Sequence, residues 1–251
     1  WDETPYAGNS YLPHATPRAT YAAMITFLDR QVGRVLDTLD ELGLSENTVV
    51  FFTSDNGTTH LGEQVDYEFF QSVGPLRGLK GSVYEGGIRV PMIVRWPGQI
   101  EAGRVSPLLW YFPDVLPTVA ELAQAEAPDD IDGISMAQTL LGKKPDRHHE
   151  YLYWDYGHCR SRYDQAVRLG RWKGIRFGQH ANIQIYDLLN DIGEEHDLAA
   201  QQPEIVTQVK HIMATAVTPR LIVTGMSVSS KEKVVRSTRR RIFSAVNFAL
   251  K

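Results

Sequence analysis

The sequence is poor in the features that most quickly assign a protein. It has one cysteine, Cys159, in 251 residues. No disulfide can therefore close within the chain, and the cysteine count says little about compartment. The longest apolar runs fall far short of the roughly 20 residues a membrane helix needs, so no transmembrane segment is expected. The N-terminus, Trp1-Asp2-Glu3-Thr4-Pro5, has no initiator Met, no basic n-region and no apolar h-region. We expect a processed chain or a piece of a longer one, in which missing targeting signals carry no information. No internal repeat is visible. Neither sign of charge dominates: with 43% hydrophobic and 22% charged residues and a net charge of −4, the chain reads as a globular protein with a sizeable core.

What is present is unevenly placed. Residues 220–251 hold eight Lys and Arg against one Glu, which leaves the remainder at −11. This stretch contains Arg239-Arg240-Arg241, and its apolar residues follow no period. A divergent basic tail, mostly disordered, is expected there. Membrane or nucleic-acid binding is the other reading of such a segment.

The spacing predicts a long helix from Thr16-Pro17 through RATYAAMITFLDRQVGRVLDTLDELG, with Thr16 as N-cap and Pro17 at N1. Ile25, Leu28, Val32, Val35, Leu36, Leu39 and Leu42 make one apolar stripe, and Gly43 suits the position after the helix. The following TVVFFT predicts a buried strand. Helix, short loop, apolar strand is the order of an α/β domain. No periodicity survives from Gly57 to Gly81, and a stretch of that length without structure is usually functional. Further strands are expected at Ile88–Trp96 and Leu108–Phe112, and a helix at Asp114–Gln124. The polar link Ala125–Asp132 is a candidate boundary. Beyond it we expect a short helix at Ser135–Leu141, strands at Glu150–Tyr156, Gln165–Leu169, Trp172–Phe177 and Gln184–Leu188, and a helix at Pro203–Thr215. The expected division is an α/β core over 1–125, a small α+β subdomain over 126–219, and the tail 220–251.

Chemistry concentrates in residues 51–60, FFTSDNGTTH. Open α/β sheets place their sites beyond the carboxyl ends of the strands. Asp55 and Asn56 fall there, and a carboxylate beside an amide carbonyl offers two hard oxygens suited to Ca2+ or Mg2+. Asp, Asn and Gly are equally the residues of a plain turn. Two ligands also do not complete a calcium site, which takes about six oxygens. Farther on, LRGLKGSVYEGGIRVP (76–91) sets Lys80 between Gly78 and Gly81, where little bulk would block an anion. An ammonium there is a point charge suited to a tetrahedral oxyanion, although an isolated lysine is most often a solvated surface residue.

These strings together resemble the sulfatase family, the formylglycine-dependent enzymes of the alkaline phosphatase superfamily. S-D-N-G after an apolar strand, then L-R-G-L-K-G-S-V-Y-E-G-G-I-R-V-P, then W-P-G, are similar to the family's metal and sulfate segments. Y-A-A-M-I-T-F-L-D-R-Q-V-G resembles the helix before its metal strand. D-G-I-S-M-A-Q-T-L-L-G, A-V-R-L-G-R-W-K and I-Y-D-L-L-N-D-I-G-E-E-H-D-L-A resemble its C-terminal subdomain. The lysine-containing string is the specific one. The resemblance implies an α/β fold, part of an alkaline-phosphatase-like mixed sheet flanked by helices, plus the small α+β subdomain. It implies Asp55 and Asn56 as ligands of a divalent cation, commonly Ca2+, and Lys80 as the sulfate contact. His60 and Arg77 join Lys80 as candidate substrate contacts, His60 having a solvated or structural role as its alternative. Arg77, Glu85 and Arg89 are read either as salt-bridge buttresses or as substrate contacts.

The formylglycine of the family arises within C-x-P-x-R or a serine variant, on a segment N-terminal to everything here. Cys159-Arg160-Ser161-Arg162-Tyr163 is no substitute, because Tyr163 stands in place of the arginine; Cys159 is read as an ordinary residue. His14 lies later than the family's catalytic histidine. His148-His149, beside Asp146 and Glu150, reads as a solvated charge run. The expected function is sulfuric ester hydrolysis of an aryl sulfate or sulfated carbohydrate, with this chain alone lacking the nucleophile and inactive. Phosphate ester or phosphodiester hydrolysis, and a non-enzymatic carbohydrate-binding relative, are the alternatives. A sulfated small molecule or carbohydrate is the expected partner, and no nucleic acid is. The resemblance implies a periplasmic, secreted or lysosome-like compartment; oligomeric state is open.

Overall fold

The computed structural model describes residues 5, 12–59, 68–156 and 162–216. His60, Cys159 and the basic tail 220–251 lie outside the described residues. The elements run α1 (Pro17–Glu41), β1 (Val50–Thr53), α2 (Glu85–Ile88), β2 (Met92–Arg95), α3 (Val115–Leu122), α4 (Ala137–Leu140), β3 (Leu152–Asp155), β4 (Asp164–Leu169), β5 (Trp172–Phe177), β6 (Gln184–Asp187) and α5 (Pro203–Thr215). They fall into two compact units. One holds the described residues up to Ser106, Leu140–Gly142 and those from Glu150 on; the other holds Pro107–Thr139 and Lys143–His149.

In the larger unit α1 ends as its sequence dictates. Gly43 turns left-handed at φ +66°, and the amides of Gly43 and Leu44 bond the carbonyls of Asp40 (3.0 Å) and Leu39 (2.8 Å). Its start departs from expectation. Thr16 occupies the N-cap position but its side chain caps nothing. The His14 ring instead takes the Thr16 amide at 3.1 Å. The apolar stripe of α1 is also not fully buried: Val32, Leu36 and Leu39 are half-buried, while Ile25, Leu28, Val35 and Leu42 are exposed, as are Met24 and Phe27 elsewhere on the helix. β1 and β2 pair antiparallel in register Val50↔Arg95 to Thr53↔Met92. The expected buried strand is therefore only half-buried, because its sheet has two strands. β2 is shorter than the expected Ile88–Trp96. Ile88 closes the helical turn α2, and Pro91, lacking an N–H, keeps the ladder from starting before Met92.

The second sheet is an antiparallel meander, β3-β4-β5-β6. Alternation along its strands gives it two apolar faces. Val167 and Ile185 point to a cluster with Val209, Ile212 and Met213 of α5. Ala166, Ile175 and Tyr186 point the other way, onto Val83 and Tyr84 of the loop that carries Lys80. Helix α5 sits so close that a Cβ on Gly174 of β5 would lie 2.4 Å from a Val209 methyl. The sheet is thus clamped between α5 and the loop. Each fully buried aliphatic side chain contributes about 1.5–3 kcal/mol to that clamp.

In the smaller unit the expected strand Leu108–Phe112 is absent. Asp114 is fully buried and its carboxylate accepts the amides of Tyr111 (3.0 Å) and Ile134 (2.8 Å). Those donors serve a side chain and not a ladder, and Phe112–Asp114 forms a tight 3-10 turn ahead of α3. The DGISM string packs beneath it. A Cβ on Gly133 would lie 1.9 Å from the Pro113 carbonyl, so glycine is required by close approach. His149 is a correction to the solvated-run reading: its Nε2 lies 2.8 Å from Asp114 Oδ1 and its side chain is nearly buried. Asp146, Arg147, His148 and Glu150 around it are exposed. A buried carboxylate demands a partner, and His149 is within reach.

Candidate active site

β1 delivers Ser54-Asp55-Asn56-Gly57 past its carboxyl end. Thr53 Oγ1 donates to the Pro91 carbonyl at 2.8 Å and Ser54 Oγ to the Asn56 carbonyl at 2.9 Å, which curls the chain into a turn. Asn56 donates its side-chain N–H to the Gly57 carbonyl at 3.2 Å. That bond occupies one amide N–H and leaves Oδ1 as an acceptor. Asp55 is exposed and Asn56 half-buried. Among the described residues no three His, Cys, Asp or Glu side chains gather into a metal cluster. Asp55 and Asn56 therefore fit a hard cation by oxygen chemistry, as part of a shell and not the whole of it.

The lysine loop docks directly on this turn. The Lys80 amide donates to the Thr58 carbonyl at 2.7 Å, and the Gly57 amide to the Gly87 carbonyl at 3.0 Å. The approach is backbone on backbone: a Cβ on Gly57 would fall 1.8 Å from the Gly86 oxygen. Gly78 and Gly81 turn left-handed at φ +82° and +83° on either side of Lys80, which is exposed. The glycines of this string serve contact and turning, so the string's specificity has a steric origin. A cleft of about 180 Å3 opens beside the turn, lined by Ser54, Asn56, Thr58, Ser72, Val73 and Arg89 among others.

Behind the loop lies a buried ionic cluster. Lys173 of β5 is fully buried, with Nζ 2.6 Å from Glu85 Oε1 and 3.5 Å from Glu194 Oε1. Glu194 Oε2 accepts the Glu85 amide at 2.7 Å, and the Glu194 carbonyl accepts Arg77 Nη1 at 2.6 Å. Arg89 and Arg168 lie 3.7 and 3.9 Å from Glu85 Oε2. Burial alone would raise the Glu85 carboxyl. The Lys173, Arg168 and Arg89 cations outweigh it and hold the group below the usual carboxylate range. Burial pushes the Glu194 carboxyl up, and Lys173 offsets that only in part.

The structure therefore brings Asp55, Asn56 and Lys80 onto adjoining backbone. It shows Glu85 and Arg89 in salt bridges. Arg77 turns its guanidinium to Glu194 and over the Tyr84 ring, 4.2 Å from the centroid. His14 caps the approach to α1. Lys173 and Glu194 escaped the sequence reading. The available signal was strand alternation, which points Lys173 into the sheet-loop core.

A sulfatase family model matches residues 2–125, and a model described as N-sulphoglucosamine sulphohydrolase, C-terminal, matches residues 79–218. Mouse steryl-sulfatase is 42% identical over 62% of this chain and 26% of its own length. N-acetylgalactosamine-6-O-sulfatase of Bacteroides thetaiotaomicron is 30% identical over 85% of this chain and 43% of its own. Human arylsulfatase A is 32% identical over 82% and 45%. The chain thus spans less than half the length of these relatives. Among solved structures, the Ps i-CgsB complex with k-i-k-neocarrahexaose superposes with a TM-score of 0.68 at 30% identity, covering 84% of this chain and 44% of that one. A complex with the substrate D-glucosamine-2-N,6-O-disulfate gives 0.65 at 26%, covering 78% and 39%. No helix among the described residues is long and apolar enough to cross a membrane. With the SDNG turn, the lysine loop docked on it and the C-terminal meander all in place, this chain belongs to the sulfatase family.

Proposed function

We propose that this chain contributes the oxyanion contact and part of the metal shell of a sulfuric ester hydrolase of the arylsulfatase or carbohydrate sulfatase type. One observation carries the reading: the Lys80 amide bonds the Thr58 carbonyl, so the cationic loop and the oxygen-bearing turn form one platform. Asp55 and the Asn56 Oδ1 would hold Ca2+, or Mg2+ in its place. When bound, that ion would supply Lewis-acid polarisation of the sulfuryl group. The Lys80 ammonium, exposed on its glycine turn, binds the sulfate oxygens and stabilises the charge that gathers on them as the ester bond breaks. Arg77 contributes through the guanidinium edge not spent on Glu194, and His60 is proposed as a further substrate donor. The sequence holds no C-x-P-x-R. The covalent step is therefore not assigned to these residues, and the formylglycine must come from polypeptide outside them.

The substrate class is a sulfated carbohydrate or aryl sulfate, in keeping with the kinship to glycan and steryl sulfatases. We assign the whole protein to a periplasmic, secreted or lysosome-like compartment; fractionation that finds it only in cytosol would overturn this. The activity test is aryl sulfate and sulfated-sugar turnover by the full-length gene product. Lys80→Ala should lower kcat/KM by about 10²–10³, and Asp55→Ala should abolish the response to added Ca2+. Unchanged kinetics in both variants would sink the assignment.

A further inference from the structure

We propose that Lys173 is a positioning residue for Lys80: its buried charge holds the lysine loop on the SDNG turn. The inference rests on reading Lys80 as the oxyanion contact. Among the described residues Lys173 pairs with Glu85, Glu194 and the Trp154 ring, not with Lys80 or the turn. It acts through Glu85, whose Oε1 takes the ammonium at 2.6 Å and which opens α2. The next two residues, Gly86 and Gly87, are the backbone on which Gly57 is seated, with Gly57 N–H bonding the Gly87 carbonyl at 3.0 Å. Gly86 N–H in turn bonds the Arg77 carbonyl at 2.7 Å, closing the loop that presents Lys80. The second arm runs through Glu194. This residue sits left-handed at φ +53°, unusual for a glutamate, and its Oε1 accepts no hydrogen bond. Among the described residues the Lys173 ammonium, 3.5 Å away, is its ion-pair partner. One buried cation on β5 thus ties two carboxylates, one from the loop and one from the 190–196 turn.

Such an arrangement is weak evidence for stability, since apolar replacements often do as well. What it supplies is geometry. A carboxylate that must meet one cation in a dry site tolerates little displacement, a directional constraint that the apolar packing of Val83 and Tyr84 on the sheet does not supply.

The test is amide hydrogen exchange in the full chain, comparing the parent with Lys173→Met and with Glu85→Gln, the milder variant should the first fail to fold. The Lys80 and Gly57 amides should exchange at least about tenfold faster in the variants, while β4, β5 and α5 amides keep their protection. Uniform acceleration everywhere would mean Lys173 merely stabilises the unit, and unchanged Lys80 and Gly57 amides would mean the loop holds itself; either overturns the proposal. A parallel titration with inorganic sulfate, read at the Lys80 amide shift, separates the two readings. No binding in the parent counts against Lys80 as oxyanion contact, whereas parent binding that the variants retain unweakened counts against Lys173.

Discussion

At the scale of single residues, the candidate site is built more by glycine than by charge. The Gly57 and Gly86 backbones meet where a side chain would stand, so Gly57→Ala must push the turn off the loop. A loss of about 1–3 kcal/mol is expected. Gly74→Ala is the contrast: Gly74 turns left-handed (φ +59°), unlike Gly57, but has open space where a Cβ would stand, and should lose only about 1 kcal/mol. Denaturant midpoints of the two variants decide this. The ionisable residues make a second prediction. Glu85, Asp187 and Asp191 are held below their ordinary values, Asp187 chiefly by Arg171. A carboxyl with a depressed folded-state pKa contributes stability above its unfolded value and loses it as pH falls through the depressed one. Unfolding free energy should therefore decline from about pH 4.5 downward, and Glu85→Gln should flatten the slope. Glu194, pushed up, has the opposite sign and opposes the others only above its ordinary range. Denaturation curves from pH 7 to pH 3 test the sign.

At the scale of elements, what was legible was whatever local chemistry decides. Pro17 and Gly43 bound α1, and the meander strands and α5 fall close to their expected limits, because alternation and helical period are strong there. The misses have tertiary causes. Leu108–Phe112 has a strand's composition, but Asp114 captures the amide of Tyr111. His149 looked solvated in its polar string, yet it answers a buried carboxylate 35 residues away. The α1 stripe was legible as an amphipathic face, but no sequence reading could tell that it is only partly covered. Exposed Phe27 and Leu42, at 62% and 64%, predict association between copies at high concentration. Phe27→Lys should reduce the scattering radius without lowering the unfolding midpoint; a fall in the midpoint would show that Phe27 packs in solution.

At the scale of the whole molecule, the SDNG turn and the lysine loop were recognisable as a pair, whereas their support from the C-terminal sheet was not. Sheet and loop meet across roughly ninety residues of sequence, and no period or spacing reports contacts that distant. The same division sets the functional expectation. Purified 251-residue chain should show no aryl sulfate turnover, with or without Ca2+, for want of a nucleophile. Turnover that Lys80→Ala removes would contradict this.

Trp154 of β3 carries its own consequence. Its ring centroid lies 5.7 Å from the Lys173 ammonium. A cation so near an indole in a dry setting perturbs the ring's excited state, so the buried cluster comes with a native optical reporter. Emission from Trp154 should change when Glu85→Gln alters the local field, before any unfolding is seen by circular dichroism. Removing Trp154 should silence that signal.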